Sequence, residues 1–210
     1  TYPDNYVMNP EKHPYSHLAD LLKSKGWDKK RIGIELENYY FSAACMDTLR
    51  AELPNAHFVD ATSLVNWQRL VKSDAELGYI RNAARIVEAM HQRIRDKIEP
   101  GMRKTDLVAE IYDASLRGVE GIGGDYPAIV PLLPSGQDAA AAHLTWNEKP
   151  FERGDCTFFD IAGVYRRYHC PLSRSVFLGE PPAEIVEAEK AVMEGLEAGL
   201  EMARPGNRCE

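Results

Sequence analysis

From residue 73 onward the apolar positions keep a helical rhythm. Leu77, Ile80, Ala84, Val87, Ile94 and Ile98 recur near one face and predict a single long helix. Ser73-Asp74-Ala75-Glu76 opens it as a capping box, and Pro100-Gly101 stops it. Thr105 is expected to cap a second helix that carries Val108, Ile111, Tyr112 and Leu116 as far as Gly118. Glycines and prolines over 121–136 mark an irregular passage around the apolar segment 128–133. The pattern beyond it predicts three strands at 156–162, 164–168 and 174–178, the first two separated by Gly163. A last helix, 183–203, ends at Arg204-Pro205-Gly206, and its acidic face reads as a solvated surface.

Before residue 69 the pattern alternates: helix at 15–25, strand at 31–36, helix at 40–53, strand at 57–59. Two strand candidates are few for an α/β domain, so this stretch reads as the tail of a larger one. "EPGMRKTDL" (99–107) and "RPGNRCE" (204–210) both set Pro-Gly after a long helix. That internal echo predicts a further helix after residue 210.

Composition narrows the function. The 210 residues are 44% hydrophobic and 27% charged, enough for one good core or two modest ones. The start resembles no secretory signal and no apolar run is long enough to span a bilayer, which predicts a cytoplasmic protein without a membrane partner. Cys45, Cys156, Cys170 and Cys209 show no CxxC spacing, which suits reduced thiols better than disulfides or a structural zinc. The formal charge of -7 disfavours nucleic acid as a partner and is compatible with a cationic small-molecule substrate.

Several segments, in order, resemble one family. "RLVKSDAELGYIRNAARI" (69–86), "IEPGMRKTDL" (98–107), "PSGQDAAAAH" (134–143), "FERGDCTFFDIAGVYRRYHCPLSRSVFLG" (151–179) and "RPGNRCE" are similar to the creatinase/prolidase/methionine-aminopeptidase superfamily. The resemblance implies an α+β pita-bread catalytic domain, incomplete, over 69–210, preceded over 1–68 by the C-terminal part of a creatinase-type α/β N-terminal domain. Metal-dependent members carry two metal-bridging aspartates, eleven positions apart, on the strand pair equivalent to 156–178; here the first position is Asp160 and the second is Pro171. Proline offers no side-chain ligand. His169 and Cys170, adjacent on one strand, point to opposite faces and do not rebuild the site. The expectation is no metal and no other cofactor.

"GGDYPAIVPLLPSG" (123–136), "AHLTW" (142–146), "RYHCPLSR" (167–174) and "EAEKAVMEGLEAGLEMARPGN" (187–207) resemble the ectoine hydrolase group of that superfamily. Divalent ions would repel an amidinium or guanidinium substrate, whereas the carboxylates left behind would attract one. Creatinase, a metal-free member acting on a guanidinium-type substrate, illustrates the logic. The resemblance implies hydrolysis of the cyclic amidine ectoine to N-acetyl-2,4-diaminobutyrate by a homodimer, with further catalytic carboxylates after residue 210 and no activity in residues 1–210 alone. Rival readings are an Xaa-Pro dipeptidase-like metallopeptidase, a creatinase-like hydrolase of another guanidino compound, and a non-catalytic binding module.

His143 matches the position of the catalytic histidine in creatinase and of a substrate-contacting histidine in the metallopeptidases, and is the candidate general base; a lone histidine is otherwise commonly structural. Asp160 is the candidate cation-binding carboxylate or nucleophile, against the plainer role of accepting backbone N–H bonds at a strand end. Tyr126, Trp146, His169 and Arg174 are candidate substrate contacts. Each has a plainer alternative: core packing for the two aromatics, a hydrogen-bonded structural imidazole for His169, and support from a neighbouring strand for Arg174. Tyr168 and Cys170 are weaker candidates.

Overall fold

A computed structural model describes residues 2–9 and 11–208. Cys209 and Glu210, where the second Pro-Gly segment ends, lie outside the described residues. The chain divides into two compact units, Thr1–Lys72 and Ser73–Glu210.

The first unit is a small α/β layer. Helices α1 (Pro14–Ser24) and α2 (Ala43–Glu52) alternate with strands β1 (Arg31–Ile34) and β2 (His57–Asp60), and a short α3 (Leu64–Gln68) follows. The strands pair in parallel with Ile32 opposite Phe58. Proline at the start of α1 and the Ser42 hydroxyl, accepting the Cys45 N–H at 3.4 Å, set the helix starts. Ala19, Ile34, Leu49 and Leu53 are buried together between the layers.

The second unit packs two helices on a β-hairpin. Helix α4 (Asp74–Lys97) begins at the expected capping box: Ser73 Oγ accepts the Glu76 N–H at 3.4 Å, and Glu76 Oε2 accepts the Ser73 N–H at 2.7 Å. Its buried face is Ala83, Ile86, Val87, Met90, His91 and Ile94. Helix α5 (Lys104–Arg117) starts earlier than expected. Arg103, not Thr105, is the N-cap residue, with no side-chain cap bond. The cause is tertiary: Gly101 donates to Phe151 O at 2.8 Å and Phe151 donates to Met102 O at 2.9 Å, and this short bridge turns the chain into the helix directly after it. Leu116, placed by periodicity on the core face, is 53% exposed.

The three expected strands are two, β3 (Cys156–Tyr165) and β4 (Tyr168–Phe177), paired antiparallel without a break. Gly163 is no turn. A Cβ there would lie 2.2 Å from Ala83 O and 2.6 Å from Val87 N, so the missing side chain is what lets α4 lie against the strand. The chain reverses instead at Arg166 and Arg167, both left-handed (φ 49° and 66°), an uncommon conformation for residues with a Cβ. The segment before β3 runs beside it: Asp125 donates to Val164 O at 3.0 Å, Leu132 exchanges two bonds with Asp160 (3.0 and 3.1 Å), and Ser135 bridges Thr157.

That pairing explains a proline inside a strand. Asp160 directs its backbone groups to Leu132, away from β4, so its pair with Ser173 is non-hydrogen-bonded. The alternation makes Ala162–Pro171 the same kind of pair, and the N–H that proline lacks would have pointed away from β3.

Ile86, Val87, Met90 and Ile94 of α4, Leu107, Val108 and Ile111 of α5, and Leu133, Phe151, Phe159 and Ile161 form the main core. Helix α6 (Ala183–Met202) follows β4; along it Val192 is 69%, Leu196 52% and Leu200 67% exposed. Gly101 and Gly206, the echoed glycines, share one backbone conformation (φ 93° and 95°). Among the described residues no helix is long and apolar enough to cross a membrane.

Candidate active site

Register decides which side chains share a face. Residues directly opposite in an antiparallel pair point the same way, and alternate residues do so along each strand. Phe159, Ile161 and Gly163 point at the helices, and with them Arg174, Leu172 and Cys170. Phe158, Asp160, Ala162 and Val164 point the other way, with Ser175, Ser173, Pro171 and His169. Asp160, His169 and Pro171 therefore share the face turned away from the helices. Arg174 and Cys170 lie on the helix side. Burial raises the Cys170 thiol above its ordinary range, with Glu88 adding to it, consistent with an inert, protonated thiol.

The Asp160 carboxylate is half-buried and makes no hydrogen bond or ion pair among the described residues. His169 is fully engaged. Its Nε2 accepts the Ala128 N–H at 3.0 Å and its Nδ1 lies 3.1 Å from Arg167 O. A backbone N–H can only donate and a carbonyl can only accept, so the imidazole is neutral with its proton on Nδ1.

His143 sits in the loop after a 3-10 turn, Gly136–Ala140, exposed and left-handed (φ 64°). No hydrogen bond joins it to Asp160. Its loop is closed by a clasp absent from the sequence reading. Asn147 Nδ2 donates to Asp138 Oδ2 at 3.0 Å, and Asn147 Oδ1 takes the Lys149 N–H at 3.0 Å and the Lys104 ammonium at 3.4 Å. Lys104 is 4% exposed, and that amide oxygen is its hydrogen-bond acceptor. Trp146, beside the clasp, packs against the main core. Tyr126 is exposed, with the Arg167 guanidinium 3.9 Å from its ring centroid. Tyr168 donates to Glu76 Oε1 at 2.8 Å, and Arg174 donates to Ser173 O at 2.7 Å. Arg167, Asn147 and Lys104 gave no signal in the sequence, since a long-range clasp and a buried lysine have no local pattern.

This donor set does not fit a bridged pair of divalent ions. Asp160 supplies one carboxylate on its face, Pro171 supplies nothing, and both nitrogens of His169 are occupied. Among the described residues no three His, Cys, Asp or Glu side chains cluster in a metal-holding arrangement.

Two helices on a hairpin, after a small α/β unit, are the architecture of the pita-bread hydrolases. The chain belongs to metallopeptidase family M24, whose sequence profile matches residues 78–210, while the creatinase/prolidase N-terminal domain matches residues 2–71. It is 56% identical over 213 aligned residues to ectoine hydrolase of Halomonas elongata, covering 99% of this chain and 53% of that protein. Among solved structures it resembles the prolidase of Pyrococcus horikoshii (TM-score 0.78, 22% identity, 96% of this chain and 57% of that one). The X-Pro aminopeptidase of Thermotoga maritima is also similar (TM-score 0.73, 23% identity, 96% and 58%). The chain spans about half the length of the curated relatives it matches.

Proposed function

We propose that this chain is part of a metal-independent hydrolase that opens the cyclic amidine ring of ectoine. The observation that carries the reading is the composition of one strand face: Asp160 stands alone where the metal-dependent relatives need two carboxylates, because Pro171 occupies the second position. Similarity to the Halomonas ectoine hydrolase along nearly the whole chain supports the substrate. A carboxylate without a partner among the described residues suits an amidinium, which needs a counter-charge and no Lewis acid.

In the proposed reaction His143 takes a proton from water as the oxygen adds to the amidine carbon. The same imidazole returns the proton to the departing ring nitrogen as the C–N bond breaks. The carbon keeps its methyl group and becomes the acetamide carbonyl of N-acetyl-2,4-diaminobutyrate. Asp160 pairs with the amidinium and, on this reading, acts by electrostatic recognition. The protein is cytoplasmic and a homodimer on the same reading.

The test is ring opening by the full-length protein, followed by NMR with and without a strong chelator. Chelator-insensitive turnover supports the proposal. The second reading, an Xaa-Pro dipeptidase, is favoured by the metallopeptidase character of the matched family. No reaction with ectoine, together with chelator-abolished cleavage of an Xaa-Pro dipeptide, would establish it instead.

A further inference from the structure

The hairpin tip and the segment 125–128 are tied by several side-chain contacts. Arg167 Nη1 donates to Tyr126 O at 2.5 Å, lies 3.4 Å from Asp125 Oδ1, and belongs to the guanidinium that stacks on the Tyr126 ring. Two residues further, His169 Nε2 takes the Ala128 N–H. Asp125 itself donates to Val164 O, directly opposite His169 in the ladder. The left-handed pair Arg166 and Arg167 makes the two-residue reversal that brings Arg167 to this segment. A turn usually built from Asn-Gly is here built from two arginines, at a backbone cost on the order of 1 kcal/mol each.

We propose that Arg167 and His169 are a positioning pair, fixing the segment 125–128 in one conformation on the Asp160 side of the hairpin. The form of His169 that does this is the neutral imidazole protonated on Nδ1. Neither residue touches substrate in this account. What they present is Tyr126 and the apolar residues after it, held as a rigid wall for a small cyclic cation; the nature of that ligand rests on the ectoine reading above. A rigid wall favours bound substrate without altering the chemical step, so its loss falls on KM.

The experiment uses the full-length protein with labelled histidine nitrogens and measures the His169 tautomer, exchange of the Ala128 amide, and steady-state kinetics with ectoine. The expected result is the Nδ1–H tautomer and a protected Ala128 amide. H169F should lose that protection and raise KM roughly five- to tenfold, with kcat within about twofold. H169Q, whose Oε1 can accept the same N–H, should restore most of both. R167K, which keeps the charge but not the planar stack, should behave like H169F. An Nε2–H tautomer, or an Ala128 amide that exchanges equally fast in wild type and H169F, overturns the proposal. A protein that shows the tautomer and the protection yet leaves ectoine intact would uphold the positioning pair and sink the ectoine reading.

Discussion

Gly163→Ala is the sharpest test of how α4 sits on the hairpin. The added methyl would lie 2.2 Å from Ala83 O and 2.6 Å from Val87 N, both backbone atoms that no rotamer change can move. Ordinary contact begins near 3.4 Å, so α4 and β3 must separate by about 1.2 Å (3.4 − 2.2) at this point. A radial gap of ~1 Å forfeits up to half of each dispersion contact. The contacts at stake are those of Ile86, Val87, Met90 and Ile94 with Phe159 and Ile161. Overpacking ordinarily costs ~1–3 kcal/mol, and an obstacle made of backbone puts this case at the upper end, about 3 kcal/mol. For a domain of this size that lowers Tm by roughly 10 °C. The assay is thermal unfolding by circular dichroism in the full-length protein. If Gly163→Ala melts with the wild type, the close approach of α4 to β3 is wrong.

Asn147→Ala removes the acceptor of the buried Lys104 ammonium and releases Asp138; a loss of about 1–3 kcal/mol is expected in denaturant unfolding, with faster proteolysis of the loop that carries His143. His143→Ala should cut kcat for ectoine by about a hundred- to ten-thousand-fold without changing Tm, and retained turnover would remove His143 from the chemistry. Burial, with help from Arg174 and Arg95, holds His91 below the ordinary histidine pKa, while its hydrogen bond to Leu172 O opposes the shift. The native state thus prefers the neutral ring: the stabilisation is complete above roughly pH 6.5 and is lost as pH falls from there through the depressed native pKa. His91→Gln should flatten stability against pH in that window, and an unchanged profile would contradict the assignment.

What the sequence disclosed followed the range of each interaction. The capping box at Ser73 depends on residues three apart and stands where pattern put it, whereas of the apolar positions placed on the α4 face Val87 and Ile94 are buried, Leu77, Ile80, Ala84 and Ile98 are only partly so, and Ala83, Ile86, Met90 and His91 complete the buried face. Gly163 was misread because a glycine between apolar runs signals either a turn or a close approach, and only the neighbouring helix decides which. The true reversal at Arg166 and Arg167 has no turn chemistry to betray it. In the site, strand alternation separated His169 from Cys170 in advance, and the absence of a carboxylate at Pro171 was visible directly. The tautomer of His169, by contrast, depends on Ala128, and the loop clasp depends on a lysine far away in α5. Such contacts are products of the fold and have no short-range trace.

Pro171 also bears on what can pair with the outer side of β4. Among the described residues no strand pairs with that side, and any strand laid along it meets a row of backbone donors and acceptors. At Pro171 that row has no donor, and the ring stands where an incoming carbonyl would have to dock. The residue that offers no metal ligand on one face therefore also removes one hydrogen bond from any strand that pairs along that edge.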